Sequence, residues 1–243
     1  MADNLLNSIY GALTRSPFSS QGSFSAFAKS RAPAAKRRFP FTVETAGSKS
    51  KGYRPKVLAA YSHYNLPIDR ADGLPHGRSR LWGDAGIATQ NRVIDEILAQ
   101  AGARGWNSTD TAFALAVART ESGFNPDAAA SSTSACGVGQ LIDKTGKSFG
   151  LSAEDCFSIP LNISAMLSLI EENRALAKRS EYGGYLSGDG LALQYALYHD
   201  GPSLKYGGMR IATSRVVPWA KKIYQWLNDQ TAGSGNPAGG LDR

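Results

Sequence analysis

Residues 109–126 read Thr-Asp-Thr-Ala-Phe-Ala-Leu-Ala-Val-Ala-Arg-Thr-Glu-Ser-Gly-Phe-Asn-Pro. This stretch decides the fold class. It predicts a helix over 109–122, entered from Asn107-Ser108 as capping candidates and closed by Gly123. Phe113, Val117 and Glu121 stand at i, i+4 and i+8, one above another on a single face. That face carries the bulky apolar side chains and must turn inward, so Glu121 goes in with it.

The same periodicity extends outward in both directions. Residues 92–101 place Val93, Ile94, Ile97 and Leu98 on one stripe, and 162–178 carry Ile163, Met166, Leu167 and Ile170. Residues 190–199 form a further helix after Asp189. In 214–229, Trp219, Ile223, Trp226 and Leu227 recur at helical spacing, with Pro218 tolerated in the first turn. Strand-like alternation is scarce and no repeat is present. The expected class is mainly α, a helical body over 91–230.

Around that body the composition changes. The chain carries a net charge of +7 over 243 residues. Residues 1–56 hold ten Lys and Arg against Asp3 and Glu44, which leaves the rest near neutral. Most of this arm is rich in Ser, Gly, Ala and Pro with isolated aromatics, and is expected to be flexible. Leu5, Leu6, Ile9 and Leu13 would fit a short amphipathic docking helix at its start. Residues 57–90 read as a linker or accessory segment, and 231–243 as a disordered tail. No stretch is long and apolar enough to span a bilayer, and residues 1–18 lack the pattern of a signal peptide. Cys136 and Cys156 make neither a disulfide framework nor a zinc set. Two free thiols are expected, with pairing the alternative if the fold joins them. His63, His76 and His199 are scattered, so no metal site is expected. Gly146-Lys147-Ser148 lacks the glycine and the preceding strand of a phosphate loop. No cofactor is implied.

Glu121 is the candidate for chemistry. An inward-facing carboxyl is partly desolvated, which raises its pKa. The negative end of the helix dipole pushes the same way. Such a group keeps its proton nearer neutral pH and suits general acid catalysis.

The residues after Glu121 add a pattern. Ser122-Gly-Phe-Asn-Pro leads into small residues, then Ser134-Ala-Cys-Gly-Val-Gly-Gln-Leu-Ile and Thr145. Asn162-Ile163 opens a helix, and Leu191-Ala-Leu leads to Tyr198-His-Asp-Gly-Pro. In this order the motifs resemble the soluble lytic transglycosylase family of the lysozyme-like superfamily, over about residues 90–229. The resemblance implies a lysozyme-like helical catalytic domain acting on peptidoglycan glycan strands, with Glu121 as acid and then base and with a 1,6-anhydro product. It further implies that Gln140 and the backbone of Gly137 and Gly139 line the sugar groove. Tyr198 would point its hydroxyl at or near Glu121, and Ser131 or Ser132 would take the place of the family serine. Ser122 either orients the carboxylate or caps the helix end.

The chain departs from the pattern at Ser134, Gly139 and His199, where the family has Gly, Met and Asn. A hydrolysing lysozyme would be expected to use a second carboxylate. Phage-type enzymes carry an Asp nine positions after the Glu, and here that residue is Ala130. Asp127 and Asp143 fit turn or capping roles. Together these features read as a transglycosylase delivered by a phage particle, found in the virion or at the host wall. The basic arm would dock on other virion proteins or DNA. The alternatives are a hydrolytic muramidase of the endolysin kind and a non-catalytic structural protein that keeps the fold.

Overall fold

In the computed structural model, residues 39–44, 60–68, 73–185 and 190–233 are described. The helices among them are α1 (Ile87–Ala103), α2 (Ser108–Glu121), α3 (Asp143–Ser148), α4 (Ile159–Leu176), α5 (Leu191–Asp200), α6 (Gly208–Ile211) and α7 (Val217–Gly233). The only β-type pairings among the described residues are isolated bridges, including Ala129 with Cys136 and Cys136 with Leu141. The mainly helical class expected from the periodicity is what is found.

α2 is the central helix. Every side chain from Thr111 to Ala118 is buried, as expected for a helix apolar on all sides. The alanines serve two ends here. They favour the helix intrinsically, and their small size lets α1 and α7 pack close along it. The Asn107 side chain accepts the Asp110 N–H at 2.9 Å and caps the start. Gly123 ends the helix at φ +60°, where a Cβ would run into the Gly83 backbone. α1 also packs on α4, and α4 on α5.

The structure departs from the sequence-based expectations at several points. First, α1 begins at Ile87 and not Arg92. Thr89, Gln90 and Asn91 break the apolar stripe in sequence, yet all three are buried. Gln90 exchanges hydrogen bonds with both backbone groups of Val43, at 2.8 and 2.9 Å. Second, residues 39–44 are therefore not part of a flexible arm. Phe39 and Phe41 are 1% and 2% exposed, each with its ring 5.4 Å from that of Trp226. Arg119 fixes them from the α2 side, its Nε donating to Phe41 O at 3.0 Å while its guanidinium lies 3.5 Å from the Trp219 ring centre. The remainder of the arm, with the docking helix expected near Leu5–Leu13, lies outside the described residues.

Third, Cys136 and Cys156 are joined in a disulfide. Asn162 explains the meeting, because its Nδ2 donates to the backbone O of both cysteines, at 3.2 and 2.9 Å. At the other end of the chain, a π-type turn over Ala212–Val216 precedes α7. Pro218, which offers no N–H to the carbonyl four residues back, accounts for a widened turn there. α7 continues to Gly233, past the expected start of the tail at Thr231, and residues 234–243 lie outside the described set.

Candidate active site

Glu121 is the last residue of α2 and is partly buried. Phe113 and Val117 below it on the same face are fully enclosed, so the inward direction read from the spacing is found. The carboxyl meets α5. Tyr195 donates its hydroxyl to Glu121 Oε1 at 2.7 Å. Burial pushes the Glu121 pKa up, while the Tyr195 hydrogen bond and the nearby His199 imidazole pull it back; the net direction is upward. The Tyr195 hydroxyl is pushed far above its ordinary value by burial and by the Glu121 charge. It therefore stays a donor. With Oε1 engaged as an acceptor, a proton taken up by Glu121 belongs on Oε2.

Tyr198, expected at or near Glu121, is close enough for the Glu121 charge to act on its hydroxyl, and it lies beside Tyr195 with the rings stacked at 13° and 6.3 Å between centres. Its hydroxyl donates to Gly139 O at 2.5 Å instead of to Glu121. The reason is register. Helical geometry puts residue 195 one turn earlier on nearly the same face, which is where α5 passes the end of α2. The signal that could have found Tyr195 is this i, i+3 pair of tyrosines. Gly139 has to be glycine, since a Cβ there would lie 2.8 Å from the Tyr198 hydroxyl and 2.9 Å from Met166 Cβ.

Gln140 adopts φ +49° and donates Nε2 to Ala128 O and Gly137 O, at 3.0 and 2.9 Å. Its amide nitrogen thus folds the loop it belongs to. Ser122 is completely buried and donates to Ala118 O at 3.0 Å, a contact within the end of α2. Ser131 is exposed, and its backbone O accepts the Ala60 N–H at 3.1 Å. The structure brings Glu121, Tyr195, Tyr198 and Gly139 together, while the Ser122 hydroxyl and the Ser131 carbonyl engage Ala118 and Ala60.

Two other carboxylates, Asp127 and Asp200, are held by hydrogen bonds. Asp127 is buried, accepting from Gly77 N at 2.7 Å and from Arg80 Nη1 at 3.2 Å. Asp143 opens α3, where its backbone N–H, not its carboxylate, donates to Ser134 Oγ. Asp200 faces His199 Nδ1 at 2.6 Å and accepts Gly208 N–H at about 3 Å. Burial works to raise the Asp200 pKa, but those hydrogen bonds outweigh it and hold the group below the usual range. Among the described residues no group of three or more His, Cys, Asp or Glu could hold a metal ion. Nor is any helix among them long and apolar enough to cross a membrane.

Tyr195→Phe is expected to reduce turnover about tenfold, the scale of one hydrogen bond to an ionisable group. Because that bond favours the ionised carboxyl, its loss raises the Glu121 pKa further. The fall in activity with rising pH then moves to higher pH than in wild type, and a kcat–pH profile reads the shift. A profile that moves to lower pH would show that Tyr195 does not act on the carboxyl in this way.

No curated protein and no solved structure matches the chain. A family model does, and it spans Glu121, Gln140 and Asn162 but ends before Tyr195 and Tyr198. The segment that carries Glu121 and the loop beneath it, residues 99–187, matches the Transglycosylase SLT domain.

Proposed function

We propose that the chain is a peptidoglycan lytic transglycosylase with Glu121 as its single acid and base. Glu121, protonated at Oε2, gives its proton to the glycosidic oxygen between N-acetylmuramic acid and N-acetylglucosamine, and the C1–O bond breaks. The carboxylate left behind takes the proton of the muramoyl 6-hydroxyl as that oxygen bonds to C1. Glu121 ends as it began, the 1,6-anhydro ring closes, and no water is consumed. Tyr195 holds Oε1 through both steps.

The observation that carries this reading is the pairing of a partly buried, upward-shifted Glu121 with Tyr195, while Asp127 and Asp200 are tied up in their own hydrogen bonds. A two-carboxylate hydrolysis would call for a second acid placed across the sugar. The disulfide fits a protein that works outside a reducing compartment. Purified protein digesting isolated sacculi should release muropeptides ending in 1,6-anhydro-muramic acid. Reducing ends in their place would make the enzyme a hydrolytic muramidase, and no release would leave a binding or structural role. Delivery by a phage particle rests on the basic N-terminal arm, and detection of the chain in purified particles tests it.

A further inference from the structure

The segment just before α1 contributes an element that the family match does not reach. Trp82 is 50% exposed, unusual for the largest apolar side chain. It is nonetheless held firmly. Its indole Nε1 donates to Thr120 O at 2.9 Å, a carbonyl in the last turn of α2 that the helix itself leaves unsatisfied. Its ring lies against Gly123, where a Cβ would come within 3.1 Å of Trp82 Cε2. The next residue is fixed too, Gly83 N–H donating to Ser122 O at 2.9 Å. Behind them Asn125 Nδ2 donates to Ser79 O and Leu81 O, at 2.9 and 2.7 Å.

Residues 120, 122 and 123 flank Glu121 on both sides, and all of them touch this short segment. The one polar atom of the indole is used up inside the protein, so the exposed half is ring carbon. A rigid aromatic face of this kind suits the carbon-hydrogen face of a pyranose, at little cost in side-chain entropy because the ring is already fixed. We propose that Trp82 is a sugar-stacking platform, binding an N-acetylhexosamine unit of the glycan strand in the subsite next to Glu121.

This rests on the glycan-cleaving reading of the site, and the experiment separates the two. A hexasaccharide of N-acetylglucosamine is titrated into the full chain carrying Glu121→Gln, with tryptophan fluorescence, iodide quenching and calorimetry as readouts. A saturable fluorescence change with protection from iodide is expected, and it should vanish when Trp82→Phe is added. Trp82→Ala should weaken hexasaccharide binding about tenfold, the scale of a buried aromatic anchor. On sacculi it should raise KM with kcat nearly unchanged. Trp82→Phe keeps a stacking face but loses the bond to Thr120, so it should recover most of the affinity, which a purely structural role would not allow.

Unchanged affinity in a folded Trp82→Ala protein overturns the subsite and leaves the catalytic reading intact. If that variant does not fold, the iodide experiment decides with Trp82 in place, and absence of protection overturns the proposal. Protection of Trp82 without wall cleavage by wild type would keep the subsite and remove the catalysis.

Discussion

Glu121→Gln is expected to lower wall-degrading turnover by about a thousandfold or more while the protein keeps its fold. General acid–base catalysis by one group supplies about 10²–10⁴ in rate, and here the same carboxyl is asked to act in both halves of the reaction. The amide is nearly isosteric. It can still accept the Tyr195 hydrogen bond through its carbonyl oxygen, so the contact between α2 and α5 survives. What it cannot do is deliver a proton from the second position or take one back. The packing below, on Phe113 and Val117, is untouched. Circular dichroism and thermal unfolding should therefore match wild type, and glycan binding should persist. Turnover on sacculi within tenfold of wild type would remove Glu121 from its role.

A pH profile of the wild type adds a second check on the same group. Activity requires the protonated acid, so the rate should fall as pH rises through the Glu121 pKa. That fall should come above the ordinary carboxylate value of about 4.5, because burial is the largest influence on this group.

The parts of the fold legible in the sequence are those in which burial follows apolar periodicity. α2, α4, α5 and α7 announce themselves through rows of Ala, Leu, Ile and Trp, and Glu121 is located by its place on one such row. Periodicity is silent where polar side chains are buried by pairing. Gln90 looks like surface, yet it closes a reciprocal pair with Val43 that starts α1 earlier and anchors residues 39–44. Phe39 and Phe41, surrounded by Pro, Lys and Arg, look like linker because their partner, Trp226, lies at the far end of the chain. Within the site the helix is readable and its rotation is not. A pattern fixes the order of residues, but which of Tyr195 and Tyr198 reaches the carboxyl depends on how α5 crosses α2. The cysteines show the same limit. Twenty residues of separation say nothing about meeting, whereas the three backbone bonds of Asn162 do.

Asn162→Ala is expected to destabilise the protein by about 3–5 kcal/mol, and to damage activity beyond what the lost stability explains. Asn162 is fully buried. Its Oδ1 accepts the Gly139 N–H at 2.8 Å, and its Nδ2 serves the carbonyls of Cys136 and Cys156. Alanine leaves three buried backbone groups without a partner, at about 1–3 kcal/mol each before the loop relaxes. For a chain of this size that corresponds to a fall in Tm of roughly 10 °C. Activity suffers because Gly139, released on its N–H side, still carries the Tyr198 hydroxyl on its carbonyl, and Tyr198 stacks on the tyrosine that holds Glu121. A shift in the loop therefore reaches the acid through two aromatic rings. Asn162→Asp sharpens the test. It keeps the acceptor for Gly139 but turns the donor into an oxygen facing two carbonyls, so near neutral pH it should be at least as harmful as alanine. A Tm within about 2 °C of wild type for either variant would show that the loop does not depend on this side chain.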